Sequence, residues 1–323
     1  MEFNELEQER LKKLQRIRDR GIDPYPARVE RTHTNQQAIA AFNANEASGT
    51  EVQATVVGRL VLIRTMGKAS FAHIEDGSGR LQLYLKVDLI GAPDYEMFLK
   101  DLDLGDFIQA TGSMFRTKTG EPTLRLTALR LIAKAITPPP EKWHGLKDTE
   151  TRYRQRYADL LSNPEIRDVF RARAKVVNAL RHFLDDHGFL EVETPILQPL
   201  YGGAAARPFT THHNQLDQEL YLRISFELYL KRLLVGMYER VYEIGRDFRN
   251  EGVSFKHNPE FTQLEFYWAY ADFHDVMDLT EAMVAYAAEQ VTGSKVVDYQ
   301  GEKIDFGAKW QRFTLREAIK KWA

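Results

Sequence analysis

The sequence contains no cysteine, which excludes structural disulfides, a thiol nucleophile and zinc–thiolate sites together, and fits a reducing compartment. It also has no run of ~18 consecutive apolar residues, so no stretch reads as a membrane-spanning helix. The opening MEFNELEQERLKKL places charges where a secretory signal needs an apolar core, and a cytoplasmic protein is expected. Net charge is only −2, from 44 Lys and Arg against 46 Asp and Glu, so bulk electrostatics neither demands nor forbids a nucleic-acid partner and any basic surface is local. What is present is 323 residues, 43% hydrophobic and 28% charged. At ~100–200 residues per domain that is enough for one sizeable core and room for a second.

Residues 3–20 space Phe3, Leu6, Leu11, Leu14 and Ile17 at roughly helical intervals, with acids early and bases late. That order complements the helix dipole of a bracing surface helix, and the same late basic cluster suits contact with phosphates; both readings stay open. From Glu51 to Lys134 the period becomes two, as in GRLQLYLK and PTLRLTALRL, with turns at EDGSGR and TKTGEP. Strands are expected at 51–64, 69–75, 79–86, 105–116 and 122–134, with a helical piece, PDYEMFLKDL, between the third and fourth. Such an order suggests an OB-fold barrel, a binder of single-stranded nucleic acid whose working surface is its second and third strands. There Phe71 and His73 share one side of the second strand and Gln82 and Tyr84 one side of the third, and Arg64 and Glu121 lie near. An aromatic ring among polar groups on such a face stacks a base while its neighbours read edges. The alternative is that Phe71 belongs to the core.

TPPPEKWHG is a proline-stiffened connector. The domains expected are an amphipathic helix and lead-in over 1–50, the barrel over 51–136, a linker over 137–150 and a mixed helix-and-strand region over 151–323. A helix is expected from about Pro164 to Asp186, with Phe170, Ala174, Val177, Leu180 and Leu184 on its apolar face and Gly188 as its stop. GFLEVETPIL reads as a strand whose Pro195, unable to donate to a ladder, sits at an edge or an interface. FRNEGVSFKHNPEF reads as two strands joined by a loop, whose ends bring Arg249 and Glu251 to face His257, Asn258 and Phe261.

GFLEVETPIL and FRNEGVSFKHNPEF resemble motifs 1 and 2 of the class II aminoacyl-tRNA synthetases. YGGAAARPFTTHHNQLDQELYLRI, ELYLKRLLVGMYERVYEIGRDFRNEG and HNPEFTQLEFYWAYAD, with MGKASF, TKTGEP and HGLKDTETRYRQRYADL ahead of them, resemble the bacterial lysyl type over essentially the whole chain. The resemblance implies an α+β multidomain protein, an OB-fold barrel that binds the tRNA anticodon followed by a synthetase core with an antiparallel sheet and flanking helices. It implies ATP-dependent activation of lysine and transfer to tRNA(Lys), with magnesium as cofactor, by a homodimer that pairs through the strand of Pro195. On the barrel's binding face the anticodon is then expected at Arg64, Phe71, Gln82 and Glu121. In the core, Arg249 holds the phosphate under attack, Glu251 faces the adenine side, Phe261 stacks on the base, and His257 and Asn258 approach phosphates and ribose.

A buried lysine needs a carboxylate for each ammonium, because an unpaired buried charge costs several kcal/mol. Glu227, at a helix start, and Glu265, among Leu264, Phe266 and Trp268, are the candidates. The resemblance places them at the α- and ε-amino groups, with Tyr267 assisting and Gly203 giving backbone contact. Helix capping by Glu227, an arginine salt bridge for Glu265 and a plain Arg249–Glu251 ion pair are the simpler alternatives. Phe226 stands where the family usually has proline. Nothing resembles the glycine-rich third motif, and the family's principal metal-binding acids lie in that part, so no metal ligand is expected in this chain. A truncated piece of an authentic enzyme, inactive alone, is the expectation; an aspartyl-type relative and a non-catalytic tRNA-binding fragment are the alternatives.

Overall fold

Leu81, Leu83 and Leu85 are buried while Gln82 and Tyr84 between them are not, the alternation that a strand with one face on a core must show. The computed structural model describes residues 3–140, 146–254 and 256–322. It divides into two compact units, Met1–Asn163 and Pro164–Ala323. The division falls past the expected linker, whose residues 141–145 lie outside the described residues.

The first unit opens with α1 (Glu5–Asp19), started by an Asn4–Glu7 capping box and buried through Leu14 and Ile17. Lys13, Arg16 and Arg20 turn inward onto Asp103 and Asp101 at 2.6, 2.8 and 3.1 Å, and Arg10 donates to the carbonyls of Ala135 and Leu104. Much of the late basic cluster is therefore spent on bracing the helix within the unit. A second helix, α2 (Asn35–Asn45), lies in what the sequence suggested only as lead-in. Strands β1 (Gln53–Met66), β2 (Ala69–Glu75), β3 (Arg80–Lys86), β4 (Phe107–Arg116) and β5 (Pro122–Ala133) close into a barrel of order β1-β2-β3-β5-β4. Helices α3 (Val87–Ile90) and α4 (Ala92–Lys100) come between β3 and β4. Val56, Leu60, Ile74, Ile108, Leu124 and Leu126 fill the interior. Two short helices, α5 (Thr149–Arg154) and α6 (Arg156–Ser162), end the unit.

The second unit contains α7 (Glu165–Asp186), β6 (Leu190–Glu191), β7 (Leu197–Gln198), β8 (Thr210–His213), β9 (Gln218–Leu222), α8 (Glu227–Val235), β10 (Arg240–Phe248), β11 (Glu260–Trp268), α9 (Phe273–Thr292), β12 (Val296–Tyr299), β13 (Glu302–Asp305) and α10 (Leu315–Trp322). Its sheets are β11-β10-β6, β7-β9-β8 and β12-β13. Phe183, Leu184, Phe189, Tyr242, Leu279 and Met283 form the core shared by α7, α9 and the β10–β11 hairpin. Phe226, Leu230 and Val241 pack on its other face. The expected apolar face of α7 is buried only toward its C-terminal end: Leu184 is inaccessible, whereas Phe170 is 44% exposed.

GFLEVETPIL is not one strand. Residues 190–191 pair in parallel with β10 and 197–198 pair with β9. Between them the Thr194 N–H and hydroxyl bond to the Glu243 carboxylate at 3.2 and 2.6 Å, and Pro195 has no N–H, so no ladder can run through. Pro195 is exposed, and its carbonyl accepts from the Gln198 side chain. No described helix is long and apolar enough to cross a membrane.

Candidate functional site

The β10–β11 pairing sets Phe248 opposite Glu260 and Asp247 opposite Phe261, and the Arg249 N–H continues it to the Pro259 carbonyl at 2.8 Å. Beyond it the loop is tied by Ser254, whose hydroxyl lies 2.8 Å from His257 Nδ1. Arg249, Glu251, His257, Asn258 and Phe261 thereby line one cavity of about 230 Å³. The Arg249 guanidinium stands over the Phe261 ring at 5.1 Å and donates to the Ile224 carbonyl through Nε and Nη2 at 3.4 and 3.3 Å. Among the described residues it meets a carbonyl and a ring, and no ion pair with Glu251 is formed.

Gln263, Glu265 and Tyr267 share one face of β11, as their spacing requires. Gln263 Nε2 donates to Glu265 at 2.7 Å and the Tyr267 hydroxyl at 3.4 Å. Burial first, then the charges of Glu265 and Glu227, push the Tyr267 phenol above its ordinary range. Glu227 is the first residue of α8, but its carboxylate pairs with Lys231 rather than capping the helix. Gly203 comes so close to these residues that an added Cβ would lie 2.7 Å from Glu227 Cβ and 2.8 Å from Ser225 Oγ, and its φ of +89° also favours glycine. Gly203, Glu227, Glu265 and Tyr267 therefore meet in one place.

Beside them lies a buried network that sequence reasoning missed. Arg223 Nη1 donates to Glu243 at 2.6 Å and to the Thr194 carbonyl at 3.0 Å, and its guanidinium stacks on Phe226 at 4.2 Å. A Cβ at position 245 would fall 2.6 Å from Arg223 Nη2, so a side chain there would displace the guanidinium. Here the arginine pairs with Glu243, and Glu265 has no arginine partner among the described residues. Asp247 is inaccessible to solvent. Arg223 Nε lies 3.4 Å from it but aims its N–H at the Arg246 carbonyl, leaving both Asp247 oxygens without a hydrogen bond among the described residues. Burial pushes Asp247 up to about 7, opposed by Arg223 and Arg249 and reinforced by Glu265 and Glu243. The period of RVYEIGRDF, which puts Glu243, Gly245 and Asp247 on one face, was the available signal.

In the barrel, Arg64 pairs with Phe71, Phe71 with Tyr84, and His73 with Gln82 across adjacent strands. Phe71 points outward and is half-buried, so it is not core; its ring lies 5.1 Å from that of Tyr84. Glu121 accepts from Gln82 Nε2 at 2.7 Å and lies 3.0 Å from His73 Nε2, while the Thr123 hydroxyl donates to Gln82 Oε1 at 2.8 Å. Arg64, Phe71, Gln82 and Glu121 line a single cavity of about 590 Å³. Arg125, stacked on Phe115 at 4.5 Å, joins its wall and was not anticipated. The arrangement presents ring faces for stacking and a fixed carboxylate and amide for reading base edges.

The chain belongs to the class II tRNA synthetases (D, K and N), whose family model matches residues 148–322. An OB-fold nucleic acid binding domain matches residues 54–132. Within that class it is similar to the lysine–tRNA ligase of Roseiflexus castenholzii, 56% identical over 320 residues, covering 99% of this chain and 65% of that protein. The lysine–tRNA ligase of Moorella thermoacetica is 54% identical over 319 residues, 99% of this chain and 64% of its own length. The chain thus spans a little under two thirds of the length of these relatives.

Proposed function

We propose that this protein carries out, as part of a lysine–tRNA ligase, the ATP-dependent activation of lysine and its transfer to tRNA. The observation that carries the reading is the convergence of Glu227 and Glu265 beside Gly203, next to a cavity lined by Arg249 and Phe261. Two carboxylates suit a diamine and repel an aspartate side chain, which favours lysine among the substrates of the D, K and N class.

In the first step an oxygen of the lysine carboxylate bonds to the α-phosphorus of ATP, and the bond from that phosphorus to the bridging oxygen breaks, releasing pyrophosphate. Arg249 neutralises charge on the α-phosphate, Phe261 stacks on the adenine, and Glu251, His257 and Asn258 border the nucleotide. In the second step a ribose hydroxyl at the tRNA end takes the lysyl group and AMP leaves. No side-chain nucleophile is needed; catalysis is positioning and charge neutralisation. Magnesium would add charge neutralisation on the phosphates, but among the described residues no group of three or more His, Asp or Glu is placed to hold it, so none is assigned to it. The barrel takes the anticodon through Arg64, Phe71, Gln82 and Glu121. The exposed segment around Pro195 and the open face of α7 serve a two-fold dimer, and the cytoplasm is the compartment that fits these substrates.

Parallel titrations of the purified chain with lysine, aspartate and asparagine test the reading. Binding of lysine alone is expected, and preference for either of the others would refute it.

A further inference from the structure

The two oxygens of Glu265 are used very differently. Oε1 accepts the Ser225 hydroxyl at 2.7 Å, Gln263 Nε2 at 2.7 Å and the Phe226 N–H at 3.3 Å. Among the described residues Oε2 has only the Tyr267 hydroxyl, at 3.4 Å. A carboxylate offers about four acceptor positions in all, so Oε1 is committed to the protein and Oε2 keeps its lone pairs for a ligand. The third donor depends on position 226 having an N–H, which proline would lack. Ser225 is 4% exposed, and its hydroxyl also accepts the Glu227 N–H at 3.1 Å. One hydroxyl therefore links the Glu265 carboxylate to the backbone of Glu227. Its place is fixed from the other side by the close approach of Gly203.

We infer that Ser225 is a positioning residue for substrate selection: by binding Oε1 it turns Oε2 of Glu265 toward the side-chain ammonium of the amino acid. The inference rests on the lysine reading above. Without the Ser225 donor Oε1 is left with Gln263 Nε2 and the longer Phe226 N–H bond; the carboxylate is held less firmly, and the ammonium meets an acceptor that must first be ordered. The loss falls on ligands carrying an ammonium at the end of the side chain and spares those without one. A merely structural role for Ser225 would weaken both alike.

The test compares lysine with 2-amino-6-hydroxyhexanoic acid, which has a hydroxyl in place of the side-chain ammonium, by calorimetry on the parent chain and on Ser225→Ala. Lysine affinity should fall roughly tenfold or more, as for loss of a hydrogen bond to a charged group. Affinity for the hydroxyl analogue should change by no more than about twofold. Equal losses for the two ligands, or none for either, would overturn the inference and leave the lysine reading standing. A parent chain that binds no lysine would overturn both. Should Ser225→Ala not fold, Gln263→Met removes another donor from the same oxygen at a half-buried position and is read the same way; unchanged discrimination in that variant overturns the inference.

Discussion

The Arg249 guanidinium lies over the Phe261 ring at 5.1 Å and is held there by the Ile224 carbonyl. The cation and the aromatic face are therefore set against each other on the adjoining ends of two paired strands. Phe261→Leu keeps an apolar side chain and removes the stacking face. It should weaken ATP binding by about 1–3 kcal/mol, the range for base–aromatic stacking, and leave lysine binding unchanged. Titration of the two ligands separately checks this, and equal losses would mean that Phe261 shapes the whole site.

Phe71 faces the barrel cavity, and the core contacts of its strand are made by Ala72 and Ile74. Phe71→Ala should therefore leave the barrel folded while weakening a U-rich lysine anticodon stem-loop by roughly 1–3 kcal/mol. Fluorescence anisotropy against an unrelated stem-loop measures both affinity and choice. Equal binding of the two loops by the parent chain would contradict the assignment.

Asp247 holds its proton more tightly folded than unfolded, because burial raises it to about 7 from an ordinary value near ~3.9. Its contribution is complete below the unfolded value and is lost as pH rises toward 7, with a slope of at most about 1.4 kcal/mol per pH unit. Unfolding free energies at several pH values between those limits should fall for the parent relative to Asp247→Asn, which has no proton to lose. Parallel profiles would show that Asp247 ionises like an exposed carboxylate.

Val169, Phe170, Leu190, Ile196 and Leu197 are large apolar residues exposed in the second unit, around Pro195 and along α7. A self-complementary two-fold contact would cover them. Sedimentation at concentrations on the order of tens of micromolar should show a dimer. Phe170→Asp with Ile196→Asp should give a monomer; a parent chain that is already monomeric would refute the proposal.

The barrel was legible because β2, β3 and β4 alternate, with Leu81, Leu83 and Leu85 inward and Gln82 and Tyr84 outward, so the binding face could be read as the complement of the core. The hairpin residues were legible through their motif. GFLEVETPIL was misread because the strand signal of Phe189, Leu190 and Val192 does not reveal that Thr194 will bond to Glu243, far along the chain. Ser225, Arg223 and Asp247 escaped for the same reason. Their partners are set by how the segment before α8 crosses the β10–β11 hairpin, and no local period records that crossing. The α1 bases were ambiguous until Asp101 and Asp103 were seen to receive them.

Calorimetric titration of lysine and of ATP into the parent chain and Glu265→Gln tests the central claim most directly. Under the proposed pairing of Glu265 with the side-chain ammonium in a half-buried pocket, its loss should cost lysine about 3–5 kcal/mol of binding and leave ATP affinity almost unchanged. A variant that keeps lysine and loses ATP, or that binds both as the parent does, would contradict the account.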